Sequence, residues 1–143
     1  MEKINLKSLF NKDIKGRYKK CESFDFGIED IKFDSYGKIP IITIYLCHYK
    51  TSGKIIIEFK KVWAHTILEE SNIFFHEEEK WIKYLFLGFA QNSGYKKMLE
   101  SYTMLGTRLE LSGKKELLHF RVFVQNLFID VLTEDLPTIQ VID

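Results

Sequence analysis

The chain contains few of the residues that mark interdomain linkers and disulfide frameworks. Two of its 143 residues are proline and two are cysteine. Two prolines are too few for a Pro-rich linker, and Cys21 and Cys47 are too few for a disulfide framework, so we expect two free thiols in a reducing compartment. The sequence alone does not decide whether the two thiols approach each other. No apolar run approaches the roughly 18 residues of a membrane-spanning helix.

The first 20 residues, MEKINLKSLFNKDIKGRYKK, lack the uninterrupted apolar stretch and the small-residue cleavage site of a secretory signal. We therefore expect a cytoplasmic protein. A hydrophobic fraction of 45% and an aromatic fraction of 15% are sufficient for a stable core without disulfides or metals. The length of 143 residues predicts a single domain, 1–143.

The sequence also lacks the motifs of common active sites. It contains no nucleophile elbow and no phosphate-binding loop. Its four histidines are not spaced as metal pairs, and two of them, His48 and His119, lie in predicted strands where a structural histidine is the commoner case. Ser93 lacks the strand–turn–helix setting of a nucleophile, so we nominate no Ser/His/Asp arrangement. We expect no catalytic residue, no metal and no cofactor, and predict that the protein is not an enzyme.

What the sequence does contain is a series of segments rich in Ile, Val, Phe and Tyr, which favour strands. Residues 22–34 alternate apolar and polar side chains, with a one-residue slip near Glu29–Asp30 that indicates a β-bulge. Further strands are predicted at 39–49 and 54–60, with short turns between them. The three segments predict an antiparallel meander.

The rest of the chain is less regular. Within residues 62–75, the segment VWAHTIL (62–68) is assigned a further strand. Residues 76–91 fit either a buried helix or a strand, and we assign a helix because the glutamates at their start favour a helix N-terminus. A short helical segment is expected at 95–100, and a second antiparallel block from strands at 102–111, 116–125 and 127–133. The expected fold is mainly β with one or two helices (α+β), its antiparallel meanders forming a sandwich, a half-barrel or a strongly bent sheet.

Charge is distributed unevenly along the chain. Residues 1–20 hold seven basic and two acidic residues, a net charge of +5, whereas the other 123 residues hold 14 basic and 18 acidic ones, a net charge of −4. We interpret 1–20 as a basic lead-in with a short helix at 3–12 that stops near Gly16, and 21–143 as a β-rich body. A membrane or nucleic-acid contact is one interpretation of the lead-in, and a solvated segment is the simpler one. The acidic body disfavours nucleic acid as its ligand.

The acidic residues of the body are concentrated in two segments of the sequence. Solvated faces are the ordinary explanation, but bunched acids also accelerate association with a basic partner, and exposed aromatic side chains beside them would provide binding hot spots. The predicted partner-binding residues are Glu69, Glu70, Glu77, Glu78, Glu79 and Trp81, with Asp25, Glu29 and Asp30 as the second choice.

The order of the predicted strands and the spacing of the apolar segments resemble those of a known class of proteins. The meander ending in KIIIEFKKVWAHTIL and the final TRLELSGKKELLHFRVFVQNLFIDVL are similar, over residues 22–133, to β-rich immunity proteins of bacterial polymorphic toxin and contact-dependent inhibition systems. The resemblance implies a small cytosolic protein that binds a cognate toxin domain stoichiometrically, often over its active site. Many such toxins are nucleases with basic grooves, which the acidic clusters would complement. Toxin-binding residues vary between members, so none is transferred.

Two other functions remain open. A small-ligand-binding β-barrel or sandwich, with or without enzymatic activity, would need a deep apolar pocket with polar groups such as Tyr45, His48 or His119. An accessory domain of a phage or surface assembly would associate with itself through a strand edge. The favoured interpretation is a monomeric, non-enzymatic inhibitor that binds a basic, nuclease-like toxin domain and neither nucleic acid nor membrane.

Overall fold

Two antiparallel sheets form the framework of the chain in the computed structural model, which describes residues 4–35, 40–51, 53–69, 80–102, 105–113 and 116–142. In chain order the strands are β1 (Phe26–Asp34), β2 (Ile41–His48), β3 (Lys54–Phe59), β4 (Val62–Glu69), β5 (Trp81–Tyr84), β6 (Leu87–Ala90), β7 (Leu118–Val124), β8 (Leu127–Thr133) and β9 (Thr138–Ile142). The helices are α1 (Lys12–Arg17), α2 (Gly94–Tyr102) and α3 (Leu105–Ser112), with short 3₁₀ turns at Leu6–Leu9 and Ser23–Asp25.

The first sheet has the strand order β1-β2-β3-β9. Its first three strands form the predicted meander, and the pairing of β1 with β2 shifts by one residue between Ile28 and Asp30, which confirms the predicted bulge. Alternate residues of β2 and β3 are buried, because one face of the sheet covers the core and the other faces solvent. The sequence analysis missed β9, which pairs antiparallel with β3.

The second sheet has the strand order β4-β8-β7-β6-β5. Its central strands β7 and β8 are buried along most of their length, because both faces of this sheet are covered. One face packs against the first sheet, as the 5.9 Å between the ring centroids of Phe59 and Phe120 shows. On the other face Leu132 packs with Tyr95 of α2 and Leu105 of α3. The two packed sheets and the helices confirm the expected mainly β, α+β class.

Two segment assignments were wrong. The helix assigned to 76–91 is replaced, from Trp81 onward, by the hairpin of β5 and β6, and residues 76–79 lie outside the described residues. All four residues of β6 are buried, so its apolar run had no alternation to distinguish strand from helix. The strand assigned to 102–111 is largely helix α3. The alternating apolar and polar residues of this segment do not mark a buried strand face, since Leu111 is 83% exposed.

The basic lead-in packs against the core. Its helix begins at Lys12, later than predicted, where the Asn11 side chain accepts a hydrogen bond from the Ile14 N–H, and Gly16 lies inside it. Apolar side chains recur every fourth residue and are at most 2% exposed: Leu6, Phe10, Ile14 and Tyr18. The charged side chains between them face solvent, so the lead-in covers the core with one side only. None of the helices in the described ranges is long and apolar enough to cross a membrane.

Candidate functional site

An exposed, partly apolar surface lies where outer strands of the two sheets meet. Phe33 near the end of β1 is 56% exposed, and its ring centroid lies 4.8 Å from that of His65 on β4. Side chains two residues apart on a strand share a face, and Ile67 and Glu69 continue this exposed row along β4. We refer to Phe33, His65, Ile67 and Glu69 as the β4-edge surface.

The β4-edge surface adjoins an apolar groove of about 290 Å³, lined in part by Phe33, Pro40 and Trp63. Trp63 is half-buried, and the guanidinium of Arg108 lies 5.3 Å from the centroid of its ring. Within the described ranges β4 pairs only with β8, so its second edge is not covered by another strand. An apolar groove beside an open strand edge is a common setting for protein–protein contact.

The first-choice binding residues fall in different places. Glu69 is exposed at the end of β4, whereas Glu70, Glu77, Glu78 and Glu79 lie outside the described residues. Trp81 begins β5, on the opposite edge of the five-stranded sheet from β4. Four strand spacings separate the two edges, roughly 19 Å. The structure therefore does not bring Trp81 and Glu69 together.

The second-choice acids make contacts within the chain. Asp25 is only 8% exposed; its carboxylate accepts the Glu22 N–H at 2.8 Å and lies 3.7 Å from the Lys50 ammonium. Glu29 forms an exposed ion pair with Lys54 at 3.0 Å. Asp30 is exposed, and its carboxylate accepts the N–H of the next residue. Of these three acids, only the two on β1 present their carboxylates at the surface.

A buried polar network lies between the five-stranded sheet and α2. On neighbouring strands β7 and β8, Asp130 accepts hydrogen bonds from His119 Nε2 at 2.7 Å and from Arg121 Nε and Nη2 at 2.7 and 3.2 Å. On the far side of the imidazole, Nδ1 lies 2.7 Å from the hydroxyl of Ser93. The three strand residues are each 1–2% exposed.

The charge state of Asp130 follows from these partners. Burial disfavours the carboxylate, but the hydrogen bonds and positive charge of His119 and Arg121 outweigh that effect and lower the pKa of Asp130. Trp81 closes the network, with the Arg121 guanidinium 4.4 Å from its ring centroid and the His119 ring 5.0 Å away. These contacts account for the half-buried position of Trp81.

Ser93, His119 and Asp130 are aligned in the order of a catalytic triad, which the sequence analysis did not nominate. Ser93 and His119 also line a depression of about 240 Å³ beside Lys96 and Glu100. Two contacts distinguish the alignment from an active triad. Arg121 already neutralises Asp130, and the Ser93 hydroxyl accepts the Lys96 N–H as the cap of α2. The available sequence signal was a His, an Arg and an Asp within otherwise apolar strands.

Comparison of the chain with protein-family models, with curated proteins and with solved structures gives no significant match.

Proposed function

We propose that this chain is a non-enzymatic binding protein that inhibits a protein toxin domain, and that the β4-edge surface is where the toxin docks. The observation that carries the proposal is the exposure of Phe33 and Ile67 on one surface: they are 56% and 41% exposed and are joined by His65. Large apolar side chains grouped on a surface are typical of interface cores.

Charge favours a basic partner. Glu69 and Asp34 are exposed beside the apolar residues, and in the sequence Glu69 is followed by four further glutamates before residue 80. Such an acidic margin increases the association rate with a basic surface and rejects acidic partners. A nuclease toxin domain, whose substrate groove must attract phosphates, has the required charge.

The resemblance to immunity proteins of polymorphic toxin systems supports the class of partner. On that interpretation the chain acts in the cytoplasm of the producing cell as a monomer, in a one-to-one complex. The side chains between the two sheets support a binding function more than a small-ligand function. Ile44, Ile57, Val122 and Val131 are all fully buried, so the described core is filled by the protein's own residues.

Co-expression tests the proposal. The C-terminal domain encoded by the reading frame immediately upstream is expressed in a host cell with and without this chain. We expect that domain to stop growth alone and the untagged chain to restore growth by forming a one-to-one complex. A toxic domain that this chain neither binds nor neutralises would contradict the proposal, as would a neighbouring domain without toxicity.

A hydrolase is the second candidate, because Ser93, His119 and Asp130 are hydrogen-bonded in series. A fluorophosphonate probe labels activated serines, and the Ser93→Ala variant is the control for labelling at this position. We expect no labelling of the wild-type chain, because Arg121 balances the charge of Asp130 and the Lys96 N–H engages a lone pair of the Ser93 hydroxyl. Labelling that disappears in Ser93→Ala would instead establish a nucleophilic serine.

A further inference from the structure

Three potential metal ligands meet where the chain enters the first sheet, at the opposite end of β1 from Phe33 of the surface proposed for docking. Cys21 and Asp25 lie just before β1, and His48 ends β2. The thiol sulfur, a carboxylate oxygen and an imidazole nitrogen all lie within 4.8 Å of one another. Cys21 Sγ and His48 Nε2 are 3.3 Å apart.

We propose that Cys21, Asp25 and His48 form a binding site for one Zn²⁺ ion, with the fourth position open to water. Zinc binds sulfur at about 2.3 Å and nitrogen or oxygen at about 2.0–2.2 Å, so ligand atoms of one tetrahedral ion lie roughly 3.4–3.6 Å apart. The thiol–imidazole separation is already close to that range. The carboxylate oxygen lies within 4.8 Å of both of these atoms.

The surroundings hold each ligand in place. A cation on Nε2 of His48 requires the proton on Nδ1, and Thr51 Oγ1 lies 3.0 Å from Nδ1, where it is able to accept that proton's hydrogen bond. Asp25 is fixed by the backbone N–H of Glu22 and, through its own carbonyl, by the N–H of Tyr49 at 3.0 Å. The site is therefore organised before a cation arrives.

Charge and ligand type favour zinc over magnesium or calcium. A thiolate and a carboxylate balance a divalent cation, and the imidazole adds a neutral ligand, so the complex carries no net charge in a setting where Asp25 and His48 are at most 8% exposed. Sulfur and imidazole ligands suit zinc, whereas magnesium and calcium prefer oxygen alone. The Lys50 ammonium, 3.7 Å from the carboxylate, is on a side chain that is 75% exposed and is free to turn away.

A nucleophilic Cys–His pair is the competing interpretation of the same residues. Asp25 places a carboxylate oxygen within 4.8 Å of the Cys21 sulfur. Reactive cysteines instead lie beside positive groups, because a nucleophile needs a stabilised thiolate. The carboxylate that disfavours a free thiolate is instead a third ligand for a shared cation.

Isothermal titration calorimetry of the untagged 143-residue chain with Zn²⁺ tests the proposal. We expect one ion per chain, and an affinity that falls at least about 100-fold in Cys21→Ser, more than the 10–100-fold typical of residues that only support a ligand. Thr51→Val is such a supporting change and is expected to weaken binding by about 10–100-fold. Cys47→Ser is the matched control, because it removes the other half-buried free thiol and leaves the three ligands intact.

The Co²⁺ form supplies a readout that does not depend on affinity alone. Thiolate ligation gives cobalt an intense near-ultraviolet charge-transfer absorption, which we expect in the wild-type chain and in Cys47→Ser but not in Cys21→Ser. Asp25→Asn keeps an oxygen acceptor for the Glu22 N–H, so it tests the carboxylate in a chain that still folds. Absence of one-to-one binding, or binding unchanged by Cys21→Ser and Asp25→Asn, would overturn the proposal.

Discussion

At the scale of single residues, Asp130 is the side chain on which the buried network depends. We expect Asp130→Asn to reduce the free energy of unfolding by about 3–5 kcal/mol at neutral pH, because it removes the carboxylate that balances the buried charge of Arg121. Asp135→Asn is the control: Asp135 pairs with Lys61 at 3.7 Å near the surface, and its loss should cost about 0–1 kcal/mol. Urea denaturation of the three proteins measures the difference.

The same carboxylate sets an acid limit on stability. The pKa of Asp130 is lower in the folded than in the unfolded chain, so its contribution is complete above the unfolded value of about 3.9 and is lost as the pH falls through the folded value. We expect the wild-type chain to lose stability more steeply than Asp130→Asn below about pH 4. Equal slopes for the two proteins would show that the network does not hold the carboxylate in its charged form.

At the scale of secondary-structure elements, docking on the β4-edge surface predicts which exposed aromatic side chain contributes to binding. Replacing Phe33 by Ser should weaken binding of the toxin domain by about 30-fold or more, the usual effect of removing an interface hot spot. Phe24→Ser is the matched control, since Phe24 is 61% exposed but lies on the 3₁₀ turn before β1. Equal losses from the two substitutions, measured by surface plasmon resonance, would argue against docking on β4.

Elements with one solvent-facing side were predicted from their alternation, and the largely buried strands β7 and β8 were predicted at 116–125 and 127–133 from their Ile, Val and Phe content. The meander of β1, β2 and β3 alternates because only one face is buried, and even its bulge left a one-residue slip in the pattern. The hairpin of β5 and β6 was mistaken for a helix because burial of the whole of β6 removes the alternation. Strand β9 is five residues long and pairs with β3, some eighty positions earlier, so no local pattern indicated it.

Sites assembled from distant positions were beyond the sequence analysis for a related reason. Ser93 and His119 are 26 residues apart, and Cys21 and His48 are 27 apart, so neither pair has the short spacing of a recognisable motif. Their proximity follows from strand pairing and from the packing of α2. The acidic residue Glu69 was predictable as exposed, but Phe33 joins the same surface only through its contact with His65, which forms where the two sheets meet.

At the scale of the whole molecule, deletion of the lead-in tests whether residues 1–20 are needed for the core to fold cooperatively. Deleting residues 1–20 removes four almost fully buried side chains, including Phe10 and Tyr18, and exposes the core that they cover. We expect the truncated chain to lose cooperative thermal unfolding, because burial of each such side chain contributes about 1.5–3 kcal/mol and a domain has only about 5–15 kcal/mol in total.

Charge removal separates packing from electrostatics in the same segment. A variant with Gln in place of Lys12, Lys19 and Lys20, all exposed, should unfold within about 0.5 kcal/mol of the wild-type chain. A truncated chain that still unfolds cooperatively would mean that the lead-in is dispensable for folding. The basic charge of the lead-in, rather than its packing, would then need a functional explanation. If only truncation destabilises the chain, the +5 charge of residues 1–20 is carried on the outer face of a structural element and contributes to solubility rather than to the fold.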